Sequence, residues 1–279
     1  MIRTRILVGS ALAIAAAGLL VADRWLAPWF PCLFVCLMLV GVIATRELVR
    51  LFPIAVRPSE WFAIAGVIAV LAANFALPSA DSGSRLTGMF VAFLGAFLVA
   101  FLVELFRYRE PGTAVLRLAL TTFAFVYLGV LGSFLAQIRW LADPATTSAM
   151  LALAIFVPKF GDIGAFFTGT FLGRHKMTPI LSPKKTWEGF AGGMLTAMLA
   201  AIGLSYTGDV YRHGILEAAA FGLVVGIVGV LGDLAESLIK RDCQTKDAAA
   251  SIPGFGGLLD VVDSVLFAAP VAFLWFLRG

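Results

Sequence analysis

Three groups of charged residues stand where charge is costly. The first is Lys159-Phe-Gly-Asp162, followed by Gly169, Gly173 and Arg174. Asp162 falls halfway along an apolar run. Phe166, Gly169 and Gly173 follow it at helical spacing, so a helix puts them on one face with the carboxylate. Gly169 and Gly173 make a small-xxx-small step that lets a second helix approach closely. The second group is Pro179-Ile-Leu-Ser182-Pro-Lys184-Lys185-Thr186-Trp-Glu188-Gly189. It reads as a loop entering a helix, with Thr186 or Ser182 as cap and Glu188 at the positive end of the helix dipole. Lysines and hydroxyls at a helix start also suit phosphate. The third is Gly232-Asp233-Leu-Ala-Glu236-Ser237-Leu-Ile-Lys240-Arg241, then Lys246-Asp247 and Pro253-Gly-Phe255-Gly256-Gly257-Leu-Leu-Asp260-Val-Val-Asp263. Asp233, Glu236 and Lys240 share one helix face, and Asp260 and Asp263 share another. Gly222, Gly226 and Gly229 thin the helix ahead of Asp233. The Gly-rich turn permits a sharp reversal and a close approach.

Four carboxylates, with Asp247 beside them, therefore converge near one end of these helices. Like charges this close require a cation or basic partners. Aspartates so arranged suit magnesium, a hard ion that also takes substrate phosphates. Bases for phosphate and acids for a metal are what phosphoryl or nucleotidyl transfer uses. The plainer alternatives are a buried Lys159–Asp162 pair, a capped basic loop and a salt-bridged helix end.

The elements that must position these residues are membrane helices. Hydrophobic residues make up 61% of the 279 and charged residues only 14%, against about 25% charged in a soluble domain. A span needs roughly 20 apolar residues, and about nine such runs are present, near 6–22, 28–44, 59–78, 86–106, 115–136, 149–173, 187–206, 215–238 and 259–277. The expected fold is an all-α, polytopic membrane protein. The first run resembles a signal peptide, but an uncleaved first helix fits better because another span follows closely. With the N-terminus in the cytoplasm, Lys and Arg gather on the cytoplasmic side, as the positive-inside rule requires. The net charge of +4 is thus a topology signal. No basic surface alternates with aromatics, so nucleic acid is not an expected partner. Three cysteines and two histidines at these spacings give no zinc site. Trp25, Trp29, Trp61 and Trp140 fall near expected interfaces. Two halves of one membrane domain are expected: a scaffold over 1–148, and a catalytic half over 149–279. Glu47 and Glu104, in the first half, are read as surface acids paired with nearby arginines.

These motifs resemble the phosphatidate cytidylyltransferase family, also called CDP-diglyceride synthetases. Its signature runs approximately S-x-x-K-R-x4-K-D-x6-P-G-H-G-G-x-x-D-R-x-D. Ser237, Lys240, Arg241, Lys246, Asp247, Pro253, Gly254, Gly256, Gly257, Asp260 and Asp263 fit it. Asp162, Gly169, Gly173, Arg174, Pro179, Ser182, Lys185, Thr186, Glu188 and Gly189 fit the upstream stretch. Phe255 stands where the family has His, and Val261 where it has Arg. The resemblance implies that CTP and phosphatidate give CDP-diacylglycerol and pyrophosphate. It implies magnesium held chiefly by Asp233 and Asp260, with Asp263 nearby, and leaves a second cation open. Lys240, Arg241, Lys246, Arg174 and the Ser182–Lys184–Lys185–Thr186 loop would meet phosphates, with Gly256 and Gly257. Asp162, Glu188, Glu236 and Asp247 would support them. It further implies a homodimer among membrane lipids, whereas a bacterial inner membrane is expected because no organelle-targeting segment stands out, and a site facing the cytoplasm because of the charge placement. A CTP-dependent polyprenol or phytol kinase and an ion-coupled transporter are the rival readings. The spacing Gly256-x3-Asp260-x2-Asp263 departs from the CDP-alcohol phosphotransferase pattern.

Overall fold

The structure is a computed structural model that describes residues 2–76, 81–208, 210–254 and 256–278. Phe255 lies outside the described residues. The chain is a bundle of helices. They are α1 (Ile2–Asp23), α2 (Pro31–Leu51), α3 (Glu60–Ala72), α4 (Ser82–Arg107), α5 (Ala114–Ala124), α6 (Leu131–Ile138), α7 (Pro144–Leu172), α8 (Trp187–Ser205), α9 (Ile215–Asp242) and α10 (Leu259–Arg278). A π-helical turn, Phe125–Val130, joins α5 to α6. Among the described residues, eight segments are long and apolar enough to span a membrane, α5 through α6 counting as one. The ninth expected run is the shorter apolar helix Glu60–Phe75.

Local chemistry starts these helices where they start. Asp143 caps α7, accepting from the amides of Ala145 at 2.9 Å and Thr146 at 3.1 Å, and Pro144 sits at its first position, where no amide is needed. Asp81 caps α4 in the same way. Apolar side chains face outward along α4, with Leu105 and Phe106 exposed, as lipid contact requires.

Small residues bring α7, α8 and α9 together. A Cβ on Gly193 of α8 would lie 2.9 Å from the Gly161 carbonyl oxygen, and one on Gly189 would lie 2.9 Å from that of Ala165. Gly222 and Gly226 of α9 abut Ala197 of α8, and Gly229 abuts Pro158 of α7. The glycine interface of α7 is thus wider than the expected Gly169–Gly173 step. Gly169 faces Thr186 and Gly189, while Gly173 lies just beyond the helix. Phe166 is half exposed.

α10 packs against α2, α6, α7 and α9. Val265, Ala269 and Phe273 pack with Leu37, Leu153, Phe221 and Val225. Leu259 and Leu266 pack with Leu48, Leu71 and Phe125. Both expected halves therefore contribute to the packing around α10.

One element departs from an all-helical expectation. Residues 176–186, read as a loop, form an antiparallel hairpin of β1 (Lys176–Thr178) and β2 (Ser182–Thr186). The register pairs Lys176 with Thr186 and Thr178 with Ser182. Strands this short carry too little period-2 patterning to show in sequence.

Candidate active site

The hairpin delivers one side of the site. Thr186 ends β2 and caps α8, its hydroxyl accepting from the Gly189 amide at 3.1 Å. Glu188, in the first turn of α8, accepts from the amides of Arg174 at 3.1 Å and His175 at 3.2 Å, and meets the His175 ring at 2.6 Å. It therefore fixes the exit of α7 against the entry of α8. Arg241, at the end of α9, donates to the Leu181 carbonyl at 3.2 Å and to that of Thr245 at 3.1 Å. That guanidinium ties the hairpin's turn to α9. Lys185 reaches inward from β2 to Asp233, Nζ to Oδ2 at 2.8 Å. Ser182 is half-buried on the strand. Arg174, Lys184 and Lys246 are exposed.

Within the bundle, charges alternate across three helices. Lys159 of α7 lies 3.4 Å from Asp162 and 3.1 Å from Asp263 of α10. Ser264 donates to Asp162 at 3.0 Å. Lys240 of α9 sits 2.5 Å from both Glu236 and Asp260. Gly232 makes this closeness possible. A Cβ there would lie 2.6 Å from the Asp263 carbonyl oxygen and 3.1 Å from the Ser264 Cα. Asp233, Glu236 and Asp263 each offer a carboxylate oxygen within 4.8 Å of the others.

In all, five carboxylates (Asp162, Asp233, Glu236, Asp260, Asp263) face three ammonium groups (Lys159, Lys185, Lys240). The cluster carries a formal excess of two negative charges inside apolar helices. Charge so placed is expensive unless compensated. One oxygen of Glu236 is buried without a hydrogen-bond partner. These features fit a hard divalent cation among Asp233, Glu236 and Asp263.

Asp260, which the family resemblance implies as a metal ligand, has both carboxylate oxygens engaged by protein donors. Its Oδ2 accepts from the amides of Gly257 at 2.6 Å and Ala248 at 3.1 Å, and its Oδ1 meets Lys240. Glu236, expected only to support, stands with Asp233 and Asp263 instead. Gly256, at φ +110°, takes a left-handed conformation that favours glycine. The space above it is filled by the Asp260 carboxylate, 2.8 Å from a Cβ position. At Gly257 the neighbour is Glu47, 2.6 Å from the Cβ position. Both glycines thus admit the protein's own acids. Asp247 lies beside Gly256 and is exposed. Val261 follows Asp260 and is half-buried.

Sequence reasoning missed Glu47. Its neighbours Arg46 and Arg50 suggested a surface pair, but both arginines go to Glu60, at 2.9 and 3.0 Å. Glu47 is buried and accepts from Ser251 at 2.7 Å, the Leu258 amide at 3.0 Å and the Leu259 amide at 2.7 Å. An acid more than two hundred residues from its partners leaves no spacing to read. Glu104 does pair with Arg117, at 2.9 Å.

Comparison with known proteins agrees with this chemistry. A phosphatidate cytidylyltransferase of Bacillus subtilis is 32% identical over 248 residues, 85% of each chain. One of Synechocystis is 44% identical over 113 residues, 40% of this chain and 38% of that one. The uncharacterized Escherichia coli protein YnbB is 39% identical over 150 residues, 52% of this chain and 49% of that one. The match to YnbB thus spans about half of that protein. The cytidylyltransferase family itself is matched over residues 3–277, and the chain belongs to that family.

Proposed function

We propose that this protein is a phosphatidate cytidylyltransferase, condensing CTP with phosphatidate to CDP-diacylglycerol and pyrophosphate. The observation that carries the reading is a cluster of five carboxylates against only three lysines, with exposed Arg174, Lys184 and Lys246 on the segments that flank it. Asp233 lies nine residues from the end of α9, about 14 Å along the helix. A nucleotide triphosphate entering from the basic end and a lipid phosphate arriving from the bilayer can meet at that depth.

In this reading a phosphatidate oxygen attacks the α-phosphorus of CTP. The new P–O bond joins the two phosphates as the bond to the β-phosphate oxygen breaks, and pyrophosphate leaves. No general base is needed, because phosphatidate is already ionised at neutral pH. Lys185 would neutralise a phosphate oxygen, and it restrains Asp233. Arg174, Lys184 and Lys246 provide an attractive rim for the triphosphate. Lys240 bridges Glu236 and Asp260 and screens their repulsion, and Lys159 does so for Asp162 and Asp263. Asp233, Glu236 and Asp263 would hold magnesium, which neutralises charge developing on the transferring phosphate. The basic rim and the positive-inside asymmetry support a site that faces the cytoplasm.

The test uses protein purified in detergent with magnesium, phosphatidate and CTP labelled at the α-phosphate. Label in the lipid phase together with released pyrophosphate is the expected result. CDP formed only when a polyprenol or phytol is supplied moves the assignment to a lipid kinase.

A further inference from the structure

The transfer reaction draws on the second half of the chain, yet one buried acid of the first half holds its turn. Glu47 sits on α2, and both of its oxygens are engaged by the segment leading into α10. Oε1 accepts from the Ser251 hydroxyl at 2.7 Å and the Leu258 amide at 3.0 Å, and Oε2 accepts from the Leu259 amide at 2.7 Å. Leu259 opens α10, so these are amides that a helix start leaves without partners. A cap side chain reaches the amides two and three residues further on, not its own or the next. The amides of Leu258 and Leu259 therefore need an acceptor from elsewhere. Glu47 supplies it from another helix. Gly257 admits it, since a Cβ there would lie 2.6 Å from Glu47 Oε2. The Asp260 carboxylate binds the amides of Gly257 and Ala248 on the same turn.

We infer that Glu47 is a positioning residue. It sets the register at which α10 begins, and so where Asp260 and Asp263 stand against Lys240 and Lys159. The inference rests on the transferase reading for its kinetic consequence, but not for its structural one. Three donors converge on a group that only accepts. A glutamine keeps the shape but turns an NH2 group toward at least one of those donors.

The experiment compares wild type with Glu47→Gln, both purified in detergent and confirmed monodisperse. Hydrogen exchange of the peptide covering 248–262 and CTP-dependent kinetics are measured on the same preparations. Expected are at least tenfold faster exchange at Leu258 and Leu259 and a kcat at least tenfold lower. KM for CTP stays within threefold and the thermal midpoint stays close to wild type. A stable Glu47→Gln protein with wild-type exchange, or with kcat within twofold of wild type, overturns the inference. Should Glu47→Gln fail to fold, Ser251→Ala removes one donor and leaves the carboxylate. It is expected to speed exchange of the turn two- to fivefold, and unchanged exchange overturns the inference. A wild-type protein that transfers no label removes the transferase reading instead, while exchange still reports whether Glu47 holds the turn.

Discussion

Gly232 is the point where α9 and α10 come closest beside the acids, and its substitution by alanine tests the geometry of the site. The added Cβ would lie 2.6 Å from the Asp263 carbonyl oxygen and 3.0 Å from the Phe267 Cβ. A relaxed contact needs about 3.5 Å, so the helices must part by about 0.9 Å. The carboxylate oxygens of Asp233, Glu236 and Asp263 now lie within 4.8 Å of one another. Two oxygens bound to one magnesium are at most about 4.2 Å apart. Small side-chain movements close that gap today, but not once the helices have separated. Overpacking of this kind costs about 1–3 kcal/mol, which is about five- to 150-fold in rate if it falls on the transition state. Initial rates of label transfer across a magnesium series check this. Gly232→Ala should show a lower plateau and need more magnesium to reach it. Gly203→Ala is the control. It lies in α8 with nothing within 4 Å of its Cβ position, and should keep wild-type activity with equal or slightly higher stability. Gly232→Ala within twofold of wild type at every magnesium concentration would refute the close-approach argument.

Lys240→Met removes the cation between Glu236 and Asp260 and leaves both carboxylates uncompensated. Breaking a buried pair costs about 3–5 kcal/mol, so the thermal midpoint in detergent should fall sharply. Lys185→Met should leave stability within about 1 kcal/mol, because its pair with Asp233 is partly exposed. It should raise KM for CTP roughly tenfold, the scale of one charge-assisted hydrogen bond. Arg139 and Asp23, 3.5 Å apart and both fully buried, lie at the opposite end of the bundle from the acids. Arg139→Met should lower thermal stability by about 3–5 kcal/mol and leave KM for CTP unchanged in the protein that folds.

The spans were legible because a chain so poor in charge has few other ways to fold, and their ends fall near the expected residues. Asp162, Asp233, Asp260 and Asp263 stood out because acids are rare within apolar runs. What each acid does was not legible. Asp260 and Glu236 sit on helices whose close approach Gly232 permits, and a helical period says which residues share a face, not what that face meets. The hairpin was hidden because Lys176-Met-Thr and Ser182-Pro-Lys-Lys-Thr are too short to show a pattern. The π-turn at Phe125–Val130 was hidden inside a continuous apolar run, where Phe125 packs on Gly66. Glu47 looked like a surface acid because its true partners lie far along the chain.

The pairing of Lys159 with Asp263 bears on how the chain is made. α7 emerges from the ribosome carrying a lysine and an aspartate in an apolar helix, each unfavourable in the bilayer by about 2.5–3.5 kcal/mol on insertion scales. Until α10 follows, Lys159 has only Asp162, three residues on, to meet it. Lys240 likewise waits for Asp260. α10 therefore completes both pairs at once, and a nascent chain that stops before it leaves both lysines half-paired. Insertion of α10, rather than of any earlier described span, is the step that supplies Asp260 and Asp263 to their lysines.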